Sequence, residues 1–137
     1  MGSRLVALER REELGRALDA IEAYLRSESV NEEQLGEIRL VAEEGLKNVL
    51  DHAYSEAVGR VETLVSVASE AIRLEIRDWG PPFDPLELGR PPLDTPLDRR
   101  PLGGLGVHLM KSLTDEQRYS RRGEANVLVL VKRRTRL

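Results

Sequence analysis

At 137 residues the chain is long enough for one compact domain with its own core and too short for two ordinary ones. Its 21 Lys+Arg against 24 Asp+Glu leave a formal net charge of −3, so there is no global attraction to a polyanion and nucleic acid is not an expected partner. Cysteine is absent, which rules out disulfides and thiolate metal sites and agrees with a reducing compartment. With no apolar leader, and no run near the roughly 18 apolar residues that span a bilayer, a cytoplasmic protein without a membrane partner is expected.

In chain order, Arg4 to Leu8 reads as a short edge strand. Leu14, Ala17, Leu18, Ile21, Tyr24 and Leu25 then recur at helical spacing, predicting a first amphipathic helix over about Arg11 to Arg26. Asn31 followed by Glu32, Glu33 and Gln34 resembles a capping box, so a second helix starts near Glu32. Its apolar set, from Leu35 and Ile38 through Leu46 to Ala53, covers the broad arc of a helix laid on a sheet and carries it to about Ala53. Arg60 to Ala68 and Ala71 to Asp78 read as a hairpin. All seven prolines then fall between Pro81 and Pro101, and a segment of that kind resists helix and predicts a long loop of functional rather than connecting type. A third helix follows near Leu105 to Leu113, and two strands near Gln117 to Arg121 and Asn126 to Arg133 close the chain. The order β-α-α-β-β-loop-α-β-β predicts an α/β sandwich of two layers, a mostly antiparallel sheet covered on one face by helices.

Three segments carry chemistry. On the second helix Glu44, Asn48 and His52 stand at i, i+4 and i+8, one stripe at the border of the apolar arc. Asn supplies a neutral hard oxygen of the kind Mg²⁺ accepts, and a carboxylate one turn away can orient a hydroxyl or water. By itself the spacing is also that of two ordinary solvated residues, and His52 reads as a helix-end residue rather than a metal ligand. Asp78 closes a strand before Trp79, Gly80, Pro81 and Pro82; it can accept from an exocyclic amine such as that of adenine, or simply belong to a turn. Trp79 reads as packing at the strand end.

Gly103, Gly104, Leu105 and Gly106 lead into a helix, where unshielded amides make an anion site that a triphosphate fits, or a plain helix entry. The pattern is neither a Walker A loop nor a Rossmann fingerprint. Arg99 and Arg100, just ahead of it, are candidates to reach a terminal phosphate. The basic C-terminal positions, Arg121 among them, read as a solvated strand and tail.

With these segments in order, the chain resembles the anti-sigma factor serine/threonine kinases of bacterial partner-switching systems, within the histidine-kinase, gyrase and heat-shock ATPase superfamily. Val41 to Tyr54, centred on Glu44 and Asn48, looks like the N box; Asp78 to Gly80 looks like the first glycine box and Gly103 to Gly106 the second, with residues 81–102 as the ATP lid. The resemblance implies a Bergerat-type fold over a single domain of residues 1–137. It implies Mg²⁺ on Asn48, Glu44 as catalytic base toward a protein Ser/Thr hydroxyl, and ATP held by Asp78, Gly80 and the Gly103 to Gly106 amides. The implied partners are a STAS-type antagonist, a sigma factor and a second copy of the chain. The other reading is a non-catalytic module whose partner affinity is gated by nucleotide. Two departures stand out: Pro82 replaces a common second glycine, and the Thr often found near the adenine has no counterpart around Gly123 to Val127. No substrate-His helix precedes the domain, so a complete sensor histidine kinase is not expected.

Overall fold

The computed structural model describes residues 2–53, 59–87 and 103–134. Within them, β1 (Ser3–Leu8), α1 (Leu14–Ser27), α2 (Glu32–Asn48), β2 (Val61–Val67), β3 (Ala71–Asp78), α3 (Gly103–Leu113), β4 (Glu116–Arg122) and β5 (Ala125–Arg133) follow the predicted order. The strands form one sheet in the order β1-β2-β3-β5-β4, every neighbouring pair antiparallel. β1 is the expected edge strand, and β2 and β3 make the expected hairpin.

The helices lie on one face, burying Ile21, Leu25, Ile38, Leu46 and Met110 against Val61, Leu74, Ile76 and Leu130 of the sheet. Each such side chain contributes about 1.5–3 kcal/mol when taken out of water. Along β5, Leu128 and Leu130 join this core while Ala125, Val127 and Val129 form a smaller cluster, which is why the strand is almost continuously apolar rather than alternating. On β3, Glu75 is buried between Arg73 and Arg77, 3.2 and 2.8 Å away.

Local chemistry explains the helix ends. A single 3₁₀ turn, Arg11–Glu13, leads into α1. At its other end Val30 N bonds Leu25 O and Ser29 N bonds Arg26 O, with Ser29 at φ 61°, a Schellman turn with serine where glycine is usual. Asn31 caps α2 by accepting from Gln34 N at 2.8 Å, and the Gln34 amide donates to Arg133 O at 2.9 Å, fixing the start of the helix to the far end of β5. Arg26 bridges Glu22 and Glu32 across the turn, and its hydrogen bond holds the Glu32 carboxyl below the usual range.

The prediction of a continuous second helix to Ala53 needs correction: the α-helix stops at Asn48 and a π-helical turn covers Val49–Ala53. Arg11 reaches that turn, donating to Leu50 O at 3.1 Å and pairing with Asp51 at 2.9 Å. Such side-chain bonds to a freed carbonyl make the irregular turn tolerable. The basic C-terminal positions are likewise more than a solvated tail. Lys132 donates to Leu113 O at 2.7 Å, and Arg134 donates to Ala68 O, Glu28 O and Ser29 O. Among the described residues no helix is long and apolar enough to cross a membrane.

Gly45 sets how deeply α2 sits. A Cβ added there would lie 2.5 Å from Ile76 Cδ1 and 3.9 Å from Met110 Sδ, whereas at Gly36 on the same helix it would meet nothing within 4 Å. Gly45→Ala should therefore lose about 1–3 kcal/mol to overpacking, while Gly36→Ala should gain about 0.5–1 kcal/mol from helix propensity. Urea unfolding of the two variants beside the wild type checks both signs.

Candidate functional site

α2 delivers the first group of site residues. Glu44 is half-buried and Asn48 is buried, and Asn48 Nδ2 has no hydrogen-bond partner among the described residues. An unpaired buried donor costs about 1–3 kcal/mol, so an amide kept open in this way is poised for something outside the fold. Rotation about its last bond exchanges Oδ1 and Nδ2, so the same position can present a metal-binding oxygen. No group of three or more His, Asp or Glu able to hold a metal occurs among the described residues. A cation that takes one neutral protein oxygen, with phosphate and water oxygens for the rest, fits this donor set, and Mg²⁺ is of that kind.

His52 does not continue the stripe. It lies within the π turn, is exposed, and its ring stacks on Phe83 with centroids 5.2 Å apart and planes 16° from parallel. The wider turn changes the angular step, so the α-helical spacing rule no longer applies beyond Asn48.

The glycine segment is where sequence places it: α3 begins at Gly103, so its opening amides are those a helix leaves without internal acceptors. Gly106 packs directly on α2. A Cβ added there would lie 2.5 Å from Glu44 Oε2 and 3.3 Å from Glu44 Cδ. The carboxylate of the first segment and the glycine turn of the third are thus in contact, although far apart in sequence. Arg99 and Arg100 lie outside the described residues.

Asp78 ends β3 and is only 3% exposed, so it is no ordinary solvated turn residue. Its Oδ1 accepts from Gly80 N at 2.9 Å and from Asn126 Nδ2 at 3.0 Å. Asn126, its direct partner in the β3–β5 register, also donates to Pro81 O at 2.9 Å, and its Oδ1 accepts from Tyr119 OH at 2.5 Å and Phe83 N at 3.1 Å. Arg121 donates to Gly80 O at 2.7 Å. Trp79 is 43% exposed rather than packed away.

Nothing in the spacing singles out Asn126 or Tyr119, and Arg121, expected as a solvated strand residue, instead holds Gly80 O. For Asn126 a signal existed: it is the one polar residue between Ala125 and Val131 in an otherwise apolar strand, and a buried strand tolerates such a residue only with partners.

Gly106 allows a direct check of the contact with Glu44. Because the atom in the way is the end of a flexible side chain, Gly106→Ala should leave the unfolding midpoint close to wild type while moving the carboxylate. Amide NMR spectra should then shift around Glu44 and the start of α3 and stay unchanged in β1 and β2.

The chain is 30% identical over 106 residues to an anti-sigma F factor from Anoxybacillus flavithermus, covering 76% of this chain and 73% of that one. It is 31% identical over 94 residues to the serine/threonine-protein kinase BtrW of Bordetella bronchiseptica, covering 68% and 66% respectively. With a serine-protein kinase RsbW of Bacillus cereus it shares 24% over 88 residues, covering 61% and 55%. The chain therefore spans from about half to three quarters of the length of these curated relatives. Among solved structures, that of the RsbU and RsbW domains of a Mycobacterium tuberculosis protein superposes with a TM-score of 0.72 at 14% identity, over 100% of this chain and 34% of that one, a likeness of fold. Residues 8–132 match the histidine kinase-like ATPase domain: the chain belongs to that family, on the branch whose relatives are named anti-sigma factors and serine-protein kinases.

Proposed function

We propose that this protein is an ATP-dependent protein serine/threonine kinase that phosphorylates a STAS-type antagonist and sequesters a sigma factor in a partner-switching system. The observation that carries the reading is the contact between Glu44 and Gly106, which sets a carboxylate beside the amides opening α3, next to the buried and open Asn48. Its kinase-named relatives supply the class of reaction.

In this reading the buried Asp78 carboxylate accepts from the adenine amine, and the α3 amides take the phosphates with their partial positive charge. Asn48 offers its amide oxygen to Mg²⁺, and the bound ion supplies charge neutralisation on the phosphates. The Arg99 and Arg100 pair of the lid adds cationic charge for the γ-phosphate. Glu44 takes the proton from the antagonist's Ser or Thr hydroxyl as that oxygen bonds to the γ-phosphorus. The bond from the γ-phosphorus to the bridging oxygen breaks, and ADP leaves with that electron pair. Position and electrostatics account for most of such a transfer, so a single small domain over residues 1–137 suffices. A homodimer in the cytoplasm completes the proposal.

Glu44→Ala should keep ATP binding and lose roughly 10²-fold or more in phosphotransfer to a purified antagonist, the usual scale for removing a general base. Equal transfer by mutant and wild type removes Glu44 from the mechanism. A wild type that binds ATP without any transfer is instead the nucleotide-gated module.

Asp78→Ala removes a hydrogen bond to a charged acceptor, worth about 1.5–3 kcal/mol, so ATP affinity should fall roughly 10- to 150-fold in calorimetric titration.

A further inference from the structure

We infer that Asn126 is a positioning residue that fixes Asp78 for an amine-bearing base and joins base recognition to the root of the lid. The inference rests on the proposed assignment of Asp78 to the nucleobase.

An Asn side chain has two donor hydrogens and two acceptor lone pairs, and Asn126 uses all four inside the fold. Nδ2 gives one hydrogen to Asp78 Oδ1 and the other to Pro81 O; Oδ1 receives Tyr119 OH and Phe83 N. Turning the amide over would set its oxygen against the Asp78 carboxylate and the Pro81 carbonyl, and its hydrogens against the Phe83 N–H. One orientation is therefore enforced. Asn126 is also 3% exposed, and with no hydrogen-bonding capacity to spare it does not read the base itself.

Its effect falls on Asp78. With Gly80 N and Asn126 Nδ2 both on Oδ1, no donor among the described residues meets Oδ2, and tilting the carboxylate plane would strain both bonds, while a half turn only exchanges its equivalent oxygens. The oxygen held free accepts a hydrogen bond from a ligand and repels a ligand carbonyl. Adenine carries an amine at its six position where guanine carries a carbonyl, so this arrangement selects ATP over GTP. The same amide grips Pro81 O and Phe83 N, and Phe83 stacks on His52 of the turn after α2. The set of Asp78 is thereby tied to the position of the first lid residues.

The test is calorimetric titration of ATP and GTP into the whole chain. Wild type should prefer ATP. Asn126→Ala should lose about tenfold or more in ATP affinity while GTP affinity changes little, so the preference collapses. Tyr119→Phe removes only one hydroxyl from Asn126 Oδ1 and should lower the preference by a smaller factor in the same direction, which keeps the question decidable if the alanine variant does not fold. A folded variant that keeps the wild-type preference, or one in which ATP and GTP weaken together, overturns the role of Asn126 and leaves the kinase reading standing. Absence of ATP binding or of ATP preference in the wild type overturns the assignment of Asp78 as well.

Discussion

The close approach of α2 to the sheet at Gly45 is the constraint on which the rest of the structure depends. Ile76 of β3 occupies the space a side chain would need there, Met110 of α3 stands at van der Waals distance from it, and both are fully buried. Gly45 stands between Glu44 and Asn48, so the contact that seals the core also sets the depth of the two polar residues. Ile76 precedes Asp78 by two positions on the same face of β3, so the interface that buries the isoleucine also points the aspartate under the helical layer. Packing and site share one surface.

The polar groups buried along that surface divide into two kinds. Asn126 uses its full hydrogen-bonding capacity within the fold and, with Gly80 N, holds one oxygen of Asp78. Asn48 keeps a donor unpaired, and Glu44 lies against a helix entry without being locked into an ion pair among the described residues. The end proposed for the base is thus held by internal hydrogen bonds, and the end proposed for the phosphates keeps unused capacity. That division suits a ligand whose base is constant and whose phosphates change during reaction.

Between these ends the first lid residues are held from several elements at once. Arg121 of β4 takes Gly80 O, Asn126 of β5 takes Pro81 O and Phe83 N, and Lys111 of α3 reaches Leu86 O at 3.4 Å. Asp84 caps the short 3₁₀ turn at Pro85–Glu87 through Leu86 N. Prolines at 81, 82 and 85 need no hydrogen-bond acceptor for a backbone N–H, and of the three Pro81 has its carbonyl taken by the Asn126 amide.

Local chemistry was legible in the sequence because its partners lie within a few residues. The Asn31 cap, the hairpin of β2 and β3, the apolar arc of α2 and the glycine entry to α3 all follow from spacing and residue type, and so did the order of elements. What the sequence left undecided involves partners far apart in the chain. Asn126 meets Asp78 across 48 residues and Arg121 meets Gly80 across 41, and no periodicity reports such pairs. The π turn after Asn48 was hidden too, since Val49 to Ala53 has ordinary helical composition and is bound from outside by Arg11. By itself the sequence determined which residues could form a nucleotide site; only the tertiary structure decided which of them are satisfied and which stay open, because a hydrogen bond's worth depends on what the folded surroundings leave unpaired.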